Sequence, residues 1–292
     1  MTAKHLNLQA SIKARLLNIS REKKVDFNRI LSNYALERLL YRLSVSKYND
    51  EFVLKGAMLF SCWSDDSHRA TRDIDFLKSG EISIVYLTKV FTKLCEQQTA
   101  TDDGMEYLTA SIRVGEIRED NAYGGIRIRI KSTLGNIHVP VQADVGIGDI
   151  ITPASESIEF PVLLDMPIPK LKAYPVETVI AEKFEAMVHL GLANSRLKDF
   201  YDIWTILNFI PYDAGILSKA IHNTFSRRGT ALPSGVPLAL TDEFSADAGK
   251  QKQWKAFVQK AGVQKSANVT LQETVDEIRP LLMKALKNRL SV

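Results

Sequence analysis

The sequence predicts an α+β fold, with N-terminal helices leading into a small mixed β-sheet and a helical second half behind it. Three observations carry this. Apolar residues recur at spacings of three and four through residues 6–19 and 25–43. Short apolar and alternating runs then dominate up to about residue 145. Prolines at 153, 161, 167, 169 and 175 separate that region from one in which every long segment has helical period. The expected domains are therefore residues 1–165 and 166–292.

Taken in order, the first helix is amphipathic, and the second sets Phe27, Ile30, Leu31 and Tyr34 along one stripe. Glu51-Phe-Val-Leu-Lys-Gly56 reads as a strand ended by glycine. Residues 57–63 fit a helical turn, and Asp73-Ile-Asp-Phe-Leu77 a second strand. Residues 82–98 have helix period, and strands are expected near 105–116, 124–132 and 136–145. In Gly125-Ile-Arg-Ile-Arg-Ile130 the alternation puts Arg127 and Arg129 on one face and the isoleucines on the other. The proline-rich stretch leaves little room for a regular element. Helices follow at 176–190, 196–209, 214–224, 247–261 and 270–289, with a loop at Pro233 and Pro237.

Composition narrows the class. Among 292 residues, 45% are hydrophobic, enough to bury a core and to exclude global disorder. No apolar run reaches the roughly 18 residues of a membrane span, and the first residues form no apolar signal core. Cys62 and Cys95 cannot build a disulfide framework or a four-thiolate metal site. A soluble, cytoplasmic protein is expected. Residues 1–50 hold 10 Lys+Arg against 4 Asp+Glu, residues 251–292 hold 8 against 3, and residues 51–250 hold 20 against 27. An acidic middle between basic ends suits carboxylates around a cation with positive surfaces for a polyanion. Solvated helix faces give the same counts.

The carboxylates are the first candidates. Asp73 and Asp75, two apart on a strand, leave the same face about 6–7 Å from each other while Ile74 and Phe76 point into a core. Two such carboxylates repel unless a cation sits between them, and hard oxygen ligands favour Mg²⁺. The pattern also describes exposed strand-end aspartates. Asp144 closes an apolar strand and, on a neighbour of the first pair, supplies the third carboxylate of a two-metal phosphoryl-transfer site. A turn aspartate before Gly146 is the other reading.

Lys55-Gly56 stands where a strand gives way to a turn, so backbone N–H groups can approach phosphates. Arg69 and Arg72 flank the approach to the acidic pair and suit a triphosphate clamp, or a plain surface role. In the second half Lys183 lies beside an apolar stripe of Ile180, Phe184 and Met187, placed to project along the domain interface. Asp199 and Asp202, at i and i+3, take the side of their helix opposite Phe200, Tyr201 and Trp204. A surface ion pair is the alternative for this trio. The histidines His5, His68, His138, His189 and His222 show no ligand spacing, and no P-loop or dinucleotide fingerprint occurs.

Four segments in order, Phe52-Val-Leu-Lys-Gly-Ala-Met-Leu59, Arg69-Ala-Thr-Arg-Asp-Ile-Asp-Phe76, Glu177-Thr-Val-Ile-Ala-Glu-Lys-Phe-Glu-Ala186 and Arg196-Leu-Lys-Asp-Phe-Tyr-Asp-Ile203, resemble the AbiEii toxin family. These are nucleotidyltransferase-like toxins of type IV toxin–antitoxin systems, the MenT-like group among them. The resemblance covers roughly residues 50–210. It implies a DNA polymerase β-like nucleotidyltransferase core and a helical C-terminal domain. It further implies transfer of a nucleotide from an NTP to the 3′ end of tRNA, with Mg²⁺ and release of pyrophosphate, so that aminoacylation and translation stop. A cognate antitoxin would be the partner.

By position, Asp73 and Asp75 match the metal pair, Lys183 the catalytic lysine and Asp199 the last acidic position, with Asp202 its alternative. Lys55, Gly56, Arg69, Arg72 and Asp202 would contact nucleotide, and Asp144 is added from the strand pattern. One departure stands out: the family commonly has Lys-Gly-Gly-Thr where this chain has Lys55-Gly56-Ala57-Met58. A catalytically lapsed module binding RNA or protein, and a metal-dependent nuclease, are the competing readings.

Overall fold

The computed structural model describes residues 3–64, 69, 71–117, 124–261 and 269–287. His68, Ala70 and the last two positions of the final expected helix lie outside them. The chain divides into two compact units. The first takes residues 1–65, 70–148 and 156–173, and the second takes 66–69, 149–155 and 174–292.

In the first unit, α1 (Ala3–Lys23) and α2 (Phe27–Ser44) precede β1 (Phe52–Lys55). A 3-10 turn (Gly56–Leu59) and the short α3 (Phe60–Trp63) lead to β2 (Asp73–Lys78), then α4 (Ile84–Glu96). Three longer strands follow, β3 (Met105–Ile117), β4 (Gly125–Leu134) and β5 (Ile137–Gly146), and then β6 (Glu156–Glu159) and β7 (Lys170–Ala173). They form one mixed sheet in the order β3-β4-β5-β2-β1-β7-β6. β2 runs antiparallel to β1 and parallel to β5, so it is hydrogen-bonded on both edges.

The expected run without structure between 150 and 175 is corrected by β6 and β7. The prolines flank these strands without interrupting them. Lys170-Leu-Lys-Ala173 alternates exposed Lys170 and half-buried Lys172 with buried Leu171 and Ala173, which is all a short strand beside β1 requires.

Alternation decides the rest of the sheet. Leu54, Ile74, Phe76, Ile128, Ala143 and Val145 share one buried face. α2 and α4 pack on the sheet, α4 through Leu87, Val90, Phe91 and Leu94 at helical spacing. Phe52 fixes the seam, its ring meeting Phe76 edge-on at 5.3 Å and Phe91 at 6.3 Å between centroids. Ser83 caps α4 by accepting from the Tyr86 N–H, and Asp26 caps α2 by accepting from that of Arg29.

α2 also buries two adjacent charges. Glu37 is 2% exposed and Arg38 is not exposed at all, with Arg38 Nη2 2.7 Å from Glu37 Oε1. The Leu163 N–H donates to Glu37 Oε2, and Arg38 Nη1 donates to the Pro167 carbonyl. Burial pushes the Glu37 carboxyl up to about 7, with Arg38 opposing. The folded state therefore keeps a proton that the unfolded chain sheds near 4.5, so stability falls as pH rises from 4.5 to 7 and is flat above. At 1.36 kcal/mol per pH unit the loss approaches about 3 kcal/mol. Glu37→Gln is expected to abolish this slope, whatever its absolute stability; urea melts between pH 5 and 7.5 measure it.

The second unit is helical: α5 (Val176–Leu190), α6 (Leu197–Phe209), α7 (Ala214–Arg228), α8 (Asp242–Ala246), α9 (Ala248–Ala261) and α10 (Leu271–Lys287). Phe184 packs on Phe225, and Phe200 stacks on Phe244 at 5.2 Å. Arg228 gathers Asp149, Glu182 and Glu185 within the unit. Burial opposes its charge, but the three carboxylates outweigh burial and hold the guanidinium above its ordinary pKa. Among the described residues no helix is long and apolar enough to cross a membrane.

Candidate active site

Strand register assembles a charged row in the first unit. Lys55, Asp75, Asp144 and Arg127 are lateral partners on β1, β2, β5 and β4. Lateral partners point to one face, so a row reads plus, minus, minus, plus across four strands. Asp73, two residues before Asp75, lies in the next row beside Gln142 and Arg129. The opposite face takes Ile74 and Phe76 into the core, at 0% and 2% exposure. Asp73, Asp75 and Asp144 are all half-buried.

Gly56 is required here for two reasons. Its φ of +78° is left-handed, and a Cβ would stand 2.0 Å from Asp75 Oδ2. The strand-ending glycine thus lies directly against the carboxylate, a contact that sequence spacing alone does not reveal. Gly146 is not required in this way: a Cβ there would make only ordinary contact with Lys55 Nζ, 4.0 Å away. The helix expected after Gly56 is a 3-10 turn and four residues of α3, too short to add much of a dipole. Ala57 and Met58, which follow Gly56, are buried and contribute to the core.

Asp144 lies where the strand pattern puts it, and its carboxylate is engaged. Arg127 Nε and Nη2 donate to its two oxygens at 2.8 and 2.6 Å. Arg127 is thereby committed to this row. A carboxylate offers about four lone-pair directions, so Asp144 keeps acceptor capacity beyond this fork.

The second unit holds the other cluster. Lys183 Nζ on α5 is 2.6 Å from Asp199 Oδ1 and 2.7 Å from Asp202 Oδ2, both on α6. Arg69, which clusters with this unit, donates through Nε and Nη2 to Asp202 at 2.7 and 2.8 Å. Arg196 Nε donates to Asp199 Oδ2 at 2.8 Å. Three cations thus enclose two carboxylates.

Burial opposes the Lys183 charge, but Asp199 and Asp202 outweigh burial and raise its pKa despite repulsion from Arg69. Burial likewise disfavours the Asp199 anion, while Lys183 and Arg196 hold that carboxyl below its usual range. The trio is not a surface ion pair: Asp199 and Asp202 are buried with Lys183, and the charges neutralise one another inside. Arg69 joins them through its fork to Asp202. Arg72 is exposed. Arg196 escaped the sequence reading, although its place three residues before Asp199 is the signal that finds it.

Asp73 and Asp75 fit a divalent cation of the Mg²⁺ type, which accepts one or two carboxylates and completes its shell with water and phosphate. Among the described residues no group of three His, Cys, Asp or Glu is arranged to hold a metal. Burial pushes the Cys62 and Cys95 thiols up to about 12, which disarms both as nucleophiles.

N-terminal helices, a seven-strand mixed sheet and a helical C-terminal region make a nucleotidyltransferase-like fold. A structure described as "putative nucleotidyltransferase from H. pylori" matches with a TM-score of 0.52 at 13% identity, over 89% of this chain and 96% of that one. JHP933 from Helicobacter pylori matches with a TM-score of 0.50 at 14% identity, over 88% and 91%. The chain belongs to the AbiEii family, the nucleotidyl transferase toxins of type IV toxin–antitoxin systems, whose model matches residues 38–279. No curated protein matches it.

Proposed function

We propose that this nucleotidyltransferase toxin moves a nucleotide from an NTP to the 3′ end of tRNA, and so blocks aminoacylation. One observation carries the reading: Asp73 and Asp75 share one face of a strand paired on both edges, with Asp144 in register beside Asp75. That supplies fixed hard oxygens and a further acceptor where a phosphoryl group would react.

Asp73 and Asp75 would hold Mg²⁺, which when bound offsets charge on the triphosphate and the departing pyrophosphate. The chain does the rest. Asp144, oriented by Arg127, accepts the proton of the attacking hydroxyl as its oxygen bonds to the α-phosphorus and the bond to pyrophosphate breaks. Backbone N–H groups after Gly56 approach phosphate oxygens, and Lys55 adds positive charge in the same row. Lys183, kept charged by its aspartates, neutralises phosphate as a point charge, with Asp199 and Asp202 positioning it. Family membership implies a cognate antitoxin as partner.

The test uses purified protein, Mg²⁺, each labelled NTP in turn and total tRNA resolved on a gel. Label is expected in tRNA with one preferred NTP, and lost on chelation with EDTA. The lack of a second glycine and of a hydroxyl at Ala57 and Met58 favours one rival, a lapsed enzyme that only binds RNA or a partner protein. Absence of label with every NTP, alongside a tRNA gel shift, would establish that rival.

A further inference from the structure

The sheet carries a second polar region three strands from the acidic pair. Arg113 on the edge strand β3 is paired directly with Arg129 on β4, in the row that continues through Gln142 to Asp73. Like charges placed directly opposite across strands are destabilising. Neither arginine has a carboxylate partner among the described residues. Arg129 Nε donates to Gln142 Oε1 at 3.3 Å, and Arg113 Nη1 donates to the Ala110 and Ile112 carbonyls. Most of their five N–H donors apiece are left unused by these bonds. Both side chains are exposed and line a cavity of about 360 Å³ with Gly115, Glu116 and Arg127. At Gly115 a Cβ would meet nothing within 4 Å, so the floor is open backbone.

Two opposed guanidiniums with spare donors over an open floor are a receptor for phosphate oxygens. Phosphates on this sheet have two sources, the NTP and the acceptor strand. Distance separates them. At about 4.8 Å per strand, Arg113 stands roughly 14 Å from Asp73 along the row. The NTP must place its own phosphates within coordination distance of the Asp73–Asp75 pair, about 2 Å from a shared Mg²⁺. Anions at Arg113 therefore belong to the other substrate. We infer that Arg113 and Arg129 form a docking site for backbone phosphates of the polynucleotide acceptor, a few nucleotides from its reacting end. The inference rests on the nucleotidyl-transfer reading for the order of the two substrates, and its binding test does not depend on turnover.

The probe is fluorescently labelled tRNA, titrated by anisotropy without NTP or Mg²⁺ at several salt concentrations, against the full chain and Arg113→Gln/Arg129→Gln. The double variant is expected to bind at least about tenfold more weakly, with a salt slope shallower by about 1.4, two single-strand phosphates at about 0.7 each. Arg113→Lys/Arg129→Lys should keep the slope. The melting temperature should not fall, because removing opposed like charges relieves repulsion. Unchanged RNA affinity, or a loss confined to NTP affinity measured by calorimetry, overturns the docking site. A wild type that transfers nucleotide beside a variant that binds and transfers equally well sinks this inference alone. A wild type that never transfers, beside a variant that has lost RNA affinity, upholds the docking site and sinks the enzymatic reading.

Discussion

Asp75→Asn is expected to lower kcat/KM for nucleotide transfer by at least about 10³-fold while the melting temperature stays within about 3 °C. The activity estimate follows from losing one of two anionic ligands, worth several kcal/mol at 1.36 kcal/mol per decade. The stability estimate follows from the sheet. Asn is nearly isosteric, so it keeps the close approach of Gly56, where a Cβ would collide with the Asp75 carboxylate. It also removes a like charge in register with Asp144. A label-transfer assay beside a thermal melt checks both halves, and a folded variant with wild-type turnover would refute the metal assignment. Asp73→Asn should behave alike, since Asp73 leaves the same face.

Lys183→Met should cost both stability and activity, and the two losses can be separated. Removing one partner of a buried charge cluster usually costs about 3–5 kcal/mol. Here Arg196 still serves Asp199 and Arg69 still serves Asp202, so the lower end, about 3 kcal/mol, is expected. The double variant Lys183→Met/Asp199→Asn removes the anion left under-compensated and should recover part of the stability. Transfer should not return with it. If denaturant melts and transfer recovered together, Lys183 would be a structural cation and the catalytic assignment would fail.

The sequence was most readable where alternation is strict. Gly125–Ile130 alternates in the structure as read, and Asp73-Ile-Asp-Phe76 sends its carboxylates one way and its apolar residues the other. Period-two patterning reports which face is buried, and nothing in these strands competes with it. β6 and β7 were missed because four-residue strands carry little pattern and five prolines nearby argue against strands, although here they only bound them. The burial of Asp199 and Asp202 was missed for another reason. Charged residues are placed outside by default, and only partners distant in sequence, Lys183 and Arg69, make their burial affordable. The fork from Arg127 to Asp144 is of the same kind, since it needs the β4–β5 register before the two residues become neighbours.

The pairing of β2 on both edges bears on how such a chain can vary over evolutionary time. Backbone hydrogen bonds hold the strand, so its apolar residues can be exchanged for others of similar volume while Asp73 and Asp75 stay where they are. Length is another matter. Gain or loss of one codon within β2 would shift every residue on one side of the change by one position. Asp73 and Asp75 could then no longer both share the reactive face while Ile74 and Phe76 share the core. Insertions and deletions are thereby confined to the connections between strands, while substitutions accumulate within them. A fold shared with structures at 13% and 14% identity is what such a filter leaves behind.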